Sequence, residues 1–239
     1  MKILVILSLI FLVSCSPTEV SIEKLVERNG ITYLINTQTP FSGRSISYHE
    51  NGQLEIKGNF KDGKREGLWE WFYENGLLKE KGSFKEGKPD GLAETYYDSG
   101  KLKSRNNFKD GTANGLFETF HENGQLYIKG GMKDGKQEGL FEIYRDNGQL
   151  AEKKNYKDGK LEGLFEVYSH RGQLDEKKNY KDGELHGLSE SFLFGKLSSK
   201  TNYKYGKKSG VEEHYFGDRV IKRSRYMFGE LVSEELNPD

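Results

Sequence analysis

Residues 139–162 read GLFEIYRDNGQLAEKKNYKDGKLE, and the fold turns on this stretch. Two short alternating runs, 140–144 (LFEIY) and 150–156 (LAEKKNY), are separated by Asn147-Gly148. Alternation of apolar and polar residues over four to eight positions is the signature of a half-buried strand. Asn-Gly between two such runs is the strongest short hairpin signal, since both residues tolerate φ > 0. The second run leads into Asp158-Gly159 and then Gly163, a β-turn composition. A helix would lose about 1 kcal/mol at each interior glycine, and glycines recur here every few residues. The stretch therefore reads as an antiparallel hairpin.

The same hairpin recurs along the chain. Glycines fall at 43, 67, 91, 115, 139, 163 and 187, always 24 apart. Two further sets fall at 52, 76, 100, 124, 148 and 172, and at 63, 87, 111, 135, 159 and 183. After Gly187 the spacing drops to 23, with one residue lost near Phe194. A fixed period of this length marks a repeat architecture. The expected fold is all-β: an elongated antiparallel hairpin array over 43–229, forming a single curved sheet or solenoid. Residues 25–42 hold a lead hairpin around Asn29-Gly30 without the repeat glycines, as an end cap should. Residues 223–236 read as one divergent last strand, and 230–239 as a C-terminal cap or tail. About 15–16 strands at ~4.8 Å predict a ribbon roughly 70–80 Å long.

Alternation assigns the faces. Leu140, Glu142 and Tyr144 share one face, with the Glu column running through Glu70, Glu94, Glu118, Glu142, Glu166 and Glu190. The opposite face varies more: Trp69/Trp71/Tyr73, Ala93/Thr95/Tyr97, Phe117/Thr119/His121. The recurring columns read as framework and the variable ones as places where a partner is recognised. A cation column, Lys57, Lys81, Arg105, Lys129, Lys153, Lys177, Lys200 and Arg223, accompanies the glutamates. A two-residue Asn-Gly loop puts Glu70 opposite Lys81, a pair contributing roughly 0.2–1 kcal/mol. A three-residue loop with Gly in the left-handed region instead puts Phe72 opposite Leu78 and Glu70 opposite Glu80. The first register pairs charges better and the second gathers apolar side chains better.

The start of the chain carries an address. Met1-Lys2 is followed by an apolar run from Ile3 to Val13, a signal-peptide layout too short for a bilayer, which needs ~20 residues. The only cysteine follows in Leu12-Val13-Ser14-Cys15, which resembles the lipobox of bacterial lipoproteins. That resemblance implies removal of residues 1–14, lipidation of Cys15, and a lipidated tether over 15–24. Two or more acyl chains anchor stably where one does not. The expected location is a bacterial cell envelope, with Ser16 favouring outer-membrane sorting in a Gram-negative cell.

Composition excludes several classes. Lys+Arg and Asp+Glu are both 37, so no net basic field exists to draw nucleic acid. One cysteine excludes a disulfide scaffold. Glycine-rich does not mean disordered here, because 14 Tyr and 14 Phe are spread evenly. The Glu column repeats at ~9.5 Å along the ribbon, whereas a catalytic carboxylate pair needs one asymmetric setting that splits the two pKa values. The five histidines lack metal-ligand spacing. Asp158-Gly159-Lys160 and its copies lack the alternating ligands of a calcium loop. No phosphate-binding loop or nucleophile elbow occurs. Neither a cofactor nor a metal site is expected, and the chain reads as no enzyme. Both tryptophans lie in one repeat, and Trp69, Trp71, Tyr73 and Tyr97 are the candidate partner-binding residues, since Trp and Tyr dominate binding hot spots.

The recurring G-L-x-E-x-[FY]-x-x-N-G-x-L unit, closing on [FY]-K-x-G-K, resembles the MORN (membrane occupation and recognition nexus) repeat. It is closer to a bacterial variant found in chains labelled YwqK-type antitoxins. The resemblance spans about residues 25–230. It implies an elongated hairpin array with an aromatic-lined groove. The Tyr-x-Gly-x-Trp motif of the standard repeat is absent. The leading functional expectation is a lipid-anchored, protein-binding envelope scaffold. The alternatives are an immunity protein that neutralises a toxin in the envelope, and a glycan or cell-wall binder.

Overall fold

The computed structural model describes residues 19–237; the signal segment 1–14 and Cys15 lie outside them. Nineteen strands form one sheet. From Gly43–Tyr48 to Glu230–Leu236, each strand pairs antiparallel with the next in sequence. Glu184–Leu185 and Gly187–Leu193 form one interrupted strand, both parts lying against Leu174–Lys181. Three-residue Glu19–Ser21 lies parallel to Gly43–Tyr48 at one end. The array is thus a long meander, as expected for repeated hairpins, with more strands than the 15–16 read from the glycines.

Three local expectations change. The tether does not extend to residue 24, because Glu19–Ser21 is already in the sheet and Ile22–Lys24 forms a 3-10 turn. Residues 223–236 are two strands, Arg219–Met227 and Glu230–Leu236, joined by a turn at Phe228-Gly229. Phe228 at φ 52 supplies the left-handed conformation that an Asp supplies elsewhere, so the turn hides from a search for Asp-Gly. Thirdly, the Asn-Gly and Asp-Gly connections differ. Asp-Gly is the tight two-residue turn, with both residues at positive φ (Asp158 50, Gly159 81). Asn-Gly belongs to a three-residue loop in which only Gly is left-handed (Gly76 81): Tyr73 N–H donates to Leu77 O at 2.8 Å, and Gly76 N–H to Tyr73 O at 2.8 Å. Asn75 contributes its side chain, whose Oδ1 accepts from Leu77 N–H at 3.0 Å. The residue lost near Phe194 shortens this loop to two residues, between Leu193 and Lys196.

Both sequence registers occur together. Phe72 faces Leu78, and Glu70 faces Lys81, because a β-bulge between Trp71 and Phe72 takes up one residue. The same bulge recurs in every complete unit. A bulge lets one strand satisfy its turn and its cross-strand pairs at once, at the cost of one unpaired residue.

The lead hairpin, Leu25–Arg28 with Ile31–Leu34, is a separate two-stranded sheet. It docks on the first Asp-Gly turn through Thr32 N–H to Gly63 O (2.9 Å), while Gly63 N–H donates to Phe41 O (2.8 Å) and Phe41 N–H to Thr32 O (2.9 Å). Gly63 has φ 75, and a Cβ there would sit 2.4 Å from Ile31 Cγ2, so glycine is required twice over.

The interior lies on the variable face, where the recurring ring column of Phe60, Phe84, Tyr156 and Tyr180 also packs; of the recurring Leu and Glu columns on the other face, only Glu118 is buried among the described residues. Trp69, Phe141, Ser45, Thr201, Glu212 and Ser224 are buried there, whereas the recurring Leu68, Leu92, Leu116 and Leu140 are exposed. Large side chains nest on small cross-strand neighbours. Trp69 faces Gly82 in register, and a Cβ on Gly58 would lie 2.2 Å from its ring. Gly130 stands in the same relation to Phe141, at 2.4 Å. The leucines face Ser83, Asn107, Gly131 and Asn155, which are too small or too polar to cover them.

Candidate functional site

The richest aromatic cluster is built on Lys64–Phe72, the strand that follows the docked turn. Trp69 is 1% exposed, and its Nε1–H donates to Asn59 O at 3.0 Å. Phe60 meets it edge-on at 4.9 Å between centroids, and Trp71 lies 5.9 Å away. Arg65 lays its guanidinium over three rings: Trp69 at 4.7 Å, Phe84 at 5.4 Å and Trp71 at 5.8 Å. Guanidinium stacking leaves the N–H edge free to recognise carboxylates or carbonyls. The lead hairpin roofs this cluster and leaves a cleft of about 260 Å³, with Ile22, Leu25 and Val26 on one wall and Ile56, Arg65 and Trp71 on the other.

The four candidate residues therefore separate. Trp69 is corrected to an interior residue, since a side chain with 1% exposure offers no surface to a partner. Trp71 stays half-buried and lines the cleft. Tyr73 and Tyr97 are committed to the fold: their hydroxyls donate at 2.7 Å to Tyr96 O and Phe120 O of the following unit. His49, His121 and Arg145 occupy the same column and donate to Phe72 O, Tyr144 O and Tyr168 O. The column is a series of inter-unit staples, which explains why Tyr, His and Arg interchange there: each reaches one carbonyl with one N–H or O–H. Sequence reading missed Arg65. Its signal was available, a cation four residues before the first tryptophan, on the third strand of the array.

The other candidate set forms a ladder along the middle of the opposite face. Glu70 stands between Lys57 and Lys81, Glu94 between Lys81 and Arg105, and Glu118 between Arg105 and Lys129. Glu142, Glu166 and Glu190 continue the alternation with Lys153 and Lys177. Ion pairs close at 2.7 Å for Lys57–Glu70 and Lys81–Glu94, while Arg105 holds Glu118 through Nε. Tyr96, Tyr144 and Tyr168 donate to the glutamate two residues earlier. Near the end of the array, hydrogen bonds from Lys200 and Tyr215 hold Glu213 down at about 2, and the Glu213 hydrogen bond lifts Lys200 to about 12. Burial pushes Glu94 up, but hydrogen bonds from Lys81 and Tyr96 outweigh it and leave the carboxyl below its ordinary value. These shifts keep both members charged across the neutral range, opposite to the tuning of a general acid or base.

The geometry is that of a β-hairpin repeat scaffold. The family model described as MORN repeat variant matches residues 42–62, 65–86, 89–110, 113–134, 137–158 and 161–182, more than half of the chain. The chain belongs to that family. No curated protein matches it. Among solved structures, a chain in the crystal structure of TcdB2-TccC3 aligns at 10% identity and a TM-score of 0.19. The alignment covers 78% of this chain and spans 15% of the other; at that TM-score it carries no argument.

Proposed function

We propose that the chain is a non-enzymatic scaffold, anchored by lipid at Cys15 in a bacterial envelope, that binds a protein partner through the cleft between the lead hairpin and the ribbon. The observation carrying this reading is the pairing of half-buried Trp71 with Arg65, whose guanidinium stacks on the aromatic wall at the open side of the cleft. Trp and Arg are the residues most enriched at binding hot spots. The cleft admits an apolar side chain against Ile56 and Trp71, and Arg65 offers donors to a carboxylate or carbonyl beside it. The Lys81–Glu94 and Lys200–Glu213 pairs, whose carboxyls are held down and whose lysines are held up, support the non-enzymatic part, since that is opposite to the tuning of a general acid or base.

The test is a cross-linked pull-down from native envelope using the whole chain tagged at its C-terminus. Trp71→Ala and Arg65→Ala should each lower recovery of a stoichiometric protein partner about tenfold, with unfolding midpoints near wild type. Unchanged recovery removes the cleft assignment. A toxin as the captured partner makes the scaffold an immunity protein, and recovery of cell-wall material alone sinks the protein-binding reading. Fatty-acid labelling that persists in Cys15→Ala removes the anchor.

A further inference from the structure

Lys154, Lys178, Lys208 and Lys222 share the interior face of the ribbon with Arg65, and each has its own carboxylate. Lys154 and Lys178 face Phe165 and hold the glutamate two residues earlier, Glu152 at 3.0 Å and Glu176 at 2.6 Å. Lys222 holds Glu234 at 2.7 Å. Lys208 is the counterpart of Arg65 near the end of the array. It faces Tyr203 as Arg65 faces Phe60, and it lies 4.8 Å over Tyr226 as Arg65 lies 5.4 Å over Phe84. Its carboxylate is Glu212, which stands where the Arg65 unit has Trp69. Glu212 is 7% exposed and accepts from Lys208 at 2.6 Å and from Thr201 at 3.1 Å. In the units between, the uncharged Pro89, Ala113, Gln137, Leu161 and Leu185 take the position.

Trp69 in place of that glutamate leaves Arg65 without an internal anion. Its guanidinium lies over three rings and forms neither an ion pair nor a side-chain hydrogen bond among the described residues. Glu27 lines the roof of the cleft and Glu80 faces Trp71, yet neither pairs with it. The rings cover the faces of the guanidinium and leave its in-plane donors, a fork that matches one carboxylate through two hydrogen bonds. The cleft beside it is about 260 Å³, below the ~300–1,000 Å³ of a site for a drug-sized molecule. On the tight-turn side it ends at Thr32, which is buried and bonded through its backbone to Gly63 and Phe41. A peptide running through a cleft needs both ends open, whereas a chain terminus needs one.

We propose that the cleft takes the C-terminal residue of its protein partner, with the free carboxylate on Arg65 and an apolar side chain against Ile56 and Trp71. This inference rests on the protein-binding reading of the cleft and narrows it to one chemical group. The Lys208 site selects that group, since it shows a cation on the same ring wall completed by a carboxylate. The size of the cleft selects the terminus. In a last residue the carboxylate and the apolar side chain spring from one carbon and fit a small space together. An internal Asp or Glu brings its charge without an apolar group of its own, and its chain continues in both directions. Glu27 on the roof is an acceptor for the amide N–H that a last residue carries next to its carboxylate; a free fatty acid brings no such donor.

The experiment passes the whole chain over peptides immobilised through their N-termini, randomised over the last four positions and made in two forms, free acid and C-terminal amide. Peptides retained as free acids should end in Leu, Ile, Val, Met or Phe, and their amides should be retained about tenfold less. Amidation changes the peptide and not the protein, so this comparison is independent of folding. Arg65→Gln should lower retention of the free acids about tenfold, with an unfolding midpoint near wild type, and abolish the difference between acid and amide. Lys208→Gln, at a cation that already holds its carboxylate, should leave that difference intact. Equal retention of acid and amide overturns the inference, and so does an acid preference that survives Arg65→Gln. Displacement by free leucine as effective as by the retained peptide overturns it in favour of a free amino acid. If acid and amide bind equally and Trp71→Ala weakens both, the cleft still binds protein and the terminal carboxylate is not what it reads. Retention of neither form overturns the inference and leaves the cleft to the envelope pull-down with Trp71→Ala.

Discussion

The two long edges of the ribbon hold successive units together by different means. On the tight-turn edge the bond is backbone to backbone: Gly63, Gly87, Gly111, Gly135, Gly159 and Gly183 each donate N–H to a carbonyl 22 positions earlier, from Phe41 to Leu161, at 2.8–2.9 Å. On the three-residue-loop edge the bond is made by side chains. Tyr73 and Tyr97 reach carbonyls 23 positions ahead, as do His49, His121 and Arg145. Asn51, Asn75 and Asn123 do the same from the loop itself. A backbone-held edge leaves the tip residue free to change, provided glycine follows it. That is why the tip can shift from Asp to Tyr205 or Phe228 while Gly206 and Gly229 keep their bonds at 2.9 Å. A side-chain-held edge ties sequence to stacking.

The largest effect should come from the tight-turn edge where the lead hairpin docks. Gly63→Ala adds a Cβ 2.4 Å from Ile31 Cγ2 and 2.7 Å from Thr32 O, in a residue at φ 75. Overpacking and backbone strain together should cost about 3 kcal/mol. Gly206→Ala, at φ 73 with nothing within 4 Å of its Cβ, should cost only about 1 kcal/mol. Denaturant midpoints of the two variants measure the difference. Equal losses would mean that the hairpin is not seated on Gly63. On the other edge, Tyr97→Phe removes one O–H donor to Phe120 O and should cost about 1 kcal/mol. Hydrogen exchange should localise that loss to the units around 97 and 120, since stability in repeat arrays is a nearest-neighbour sum. Protection lost uniformly along the chain would instead mean that the array unfolds as one block.

Much of this was legible in the residues. The glycine period gave the hairpin array, and alternation placed Glu70 and Lys81 on one face. The choice between two registers stayed open because a bulge, which satisfies both, leaves no mark in composition. The interior was misplaced for a related reason. Trp69 is buried because Gly58 and Gly82 lie beside it across two strand pairs, and that adjacency exists only once the register is known. A trace was present within the chain. Gly58 and Gly130 precede Trp69 and Phe141 by eleven residues, but Gly82 precedes Ala93, and Asn106 and Lys154 precede Phe117 and Phe165, so the trace is partial. The staple column could not be read as structure from identity alone, because Tyr, His and Arg share only reach and a donor. The turns at Phe194, Tyr205 and Phe228 carry no Asp-Gly or Asn-Gly mark, since Phe and Tyr are not turn residues.

Between the edges runs the charge ladder, which should contribute least and respond to pH. Glu213 accepts from Lys200 and Arg223, at 2.7 and 3.0 Å, and from Tyr215 at 2.6 Å. Its folded pKa of about 2 lies below the ordinary 4.5, so its stabilisation is fully present above about pH 4.5 and is lost as pH falls toward 2. Lys200 has the opposite sign: raised from 10.5 to about 12, it contributes below about pH 10.5 and loses that contribution as pH rises toward 12. Glu213→Gln should therefore destabilise the last units by under about 1 kcal/mol at pH 7, the range for partly solvated cross-strand pairs. The gap to wild type should close on acidification below pH 4.5 as the wild-type carboxyl takes up its proton. Tyr97→Phe removes a neutral donor and should show a loss that does not change over the same acid range. If the Glu213→Gln gap persists unchanged at pH 2, the glutamate acts through shape and packing, and the ladder is not held by its charges.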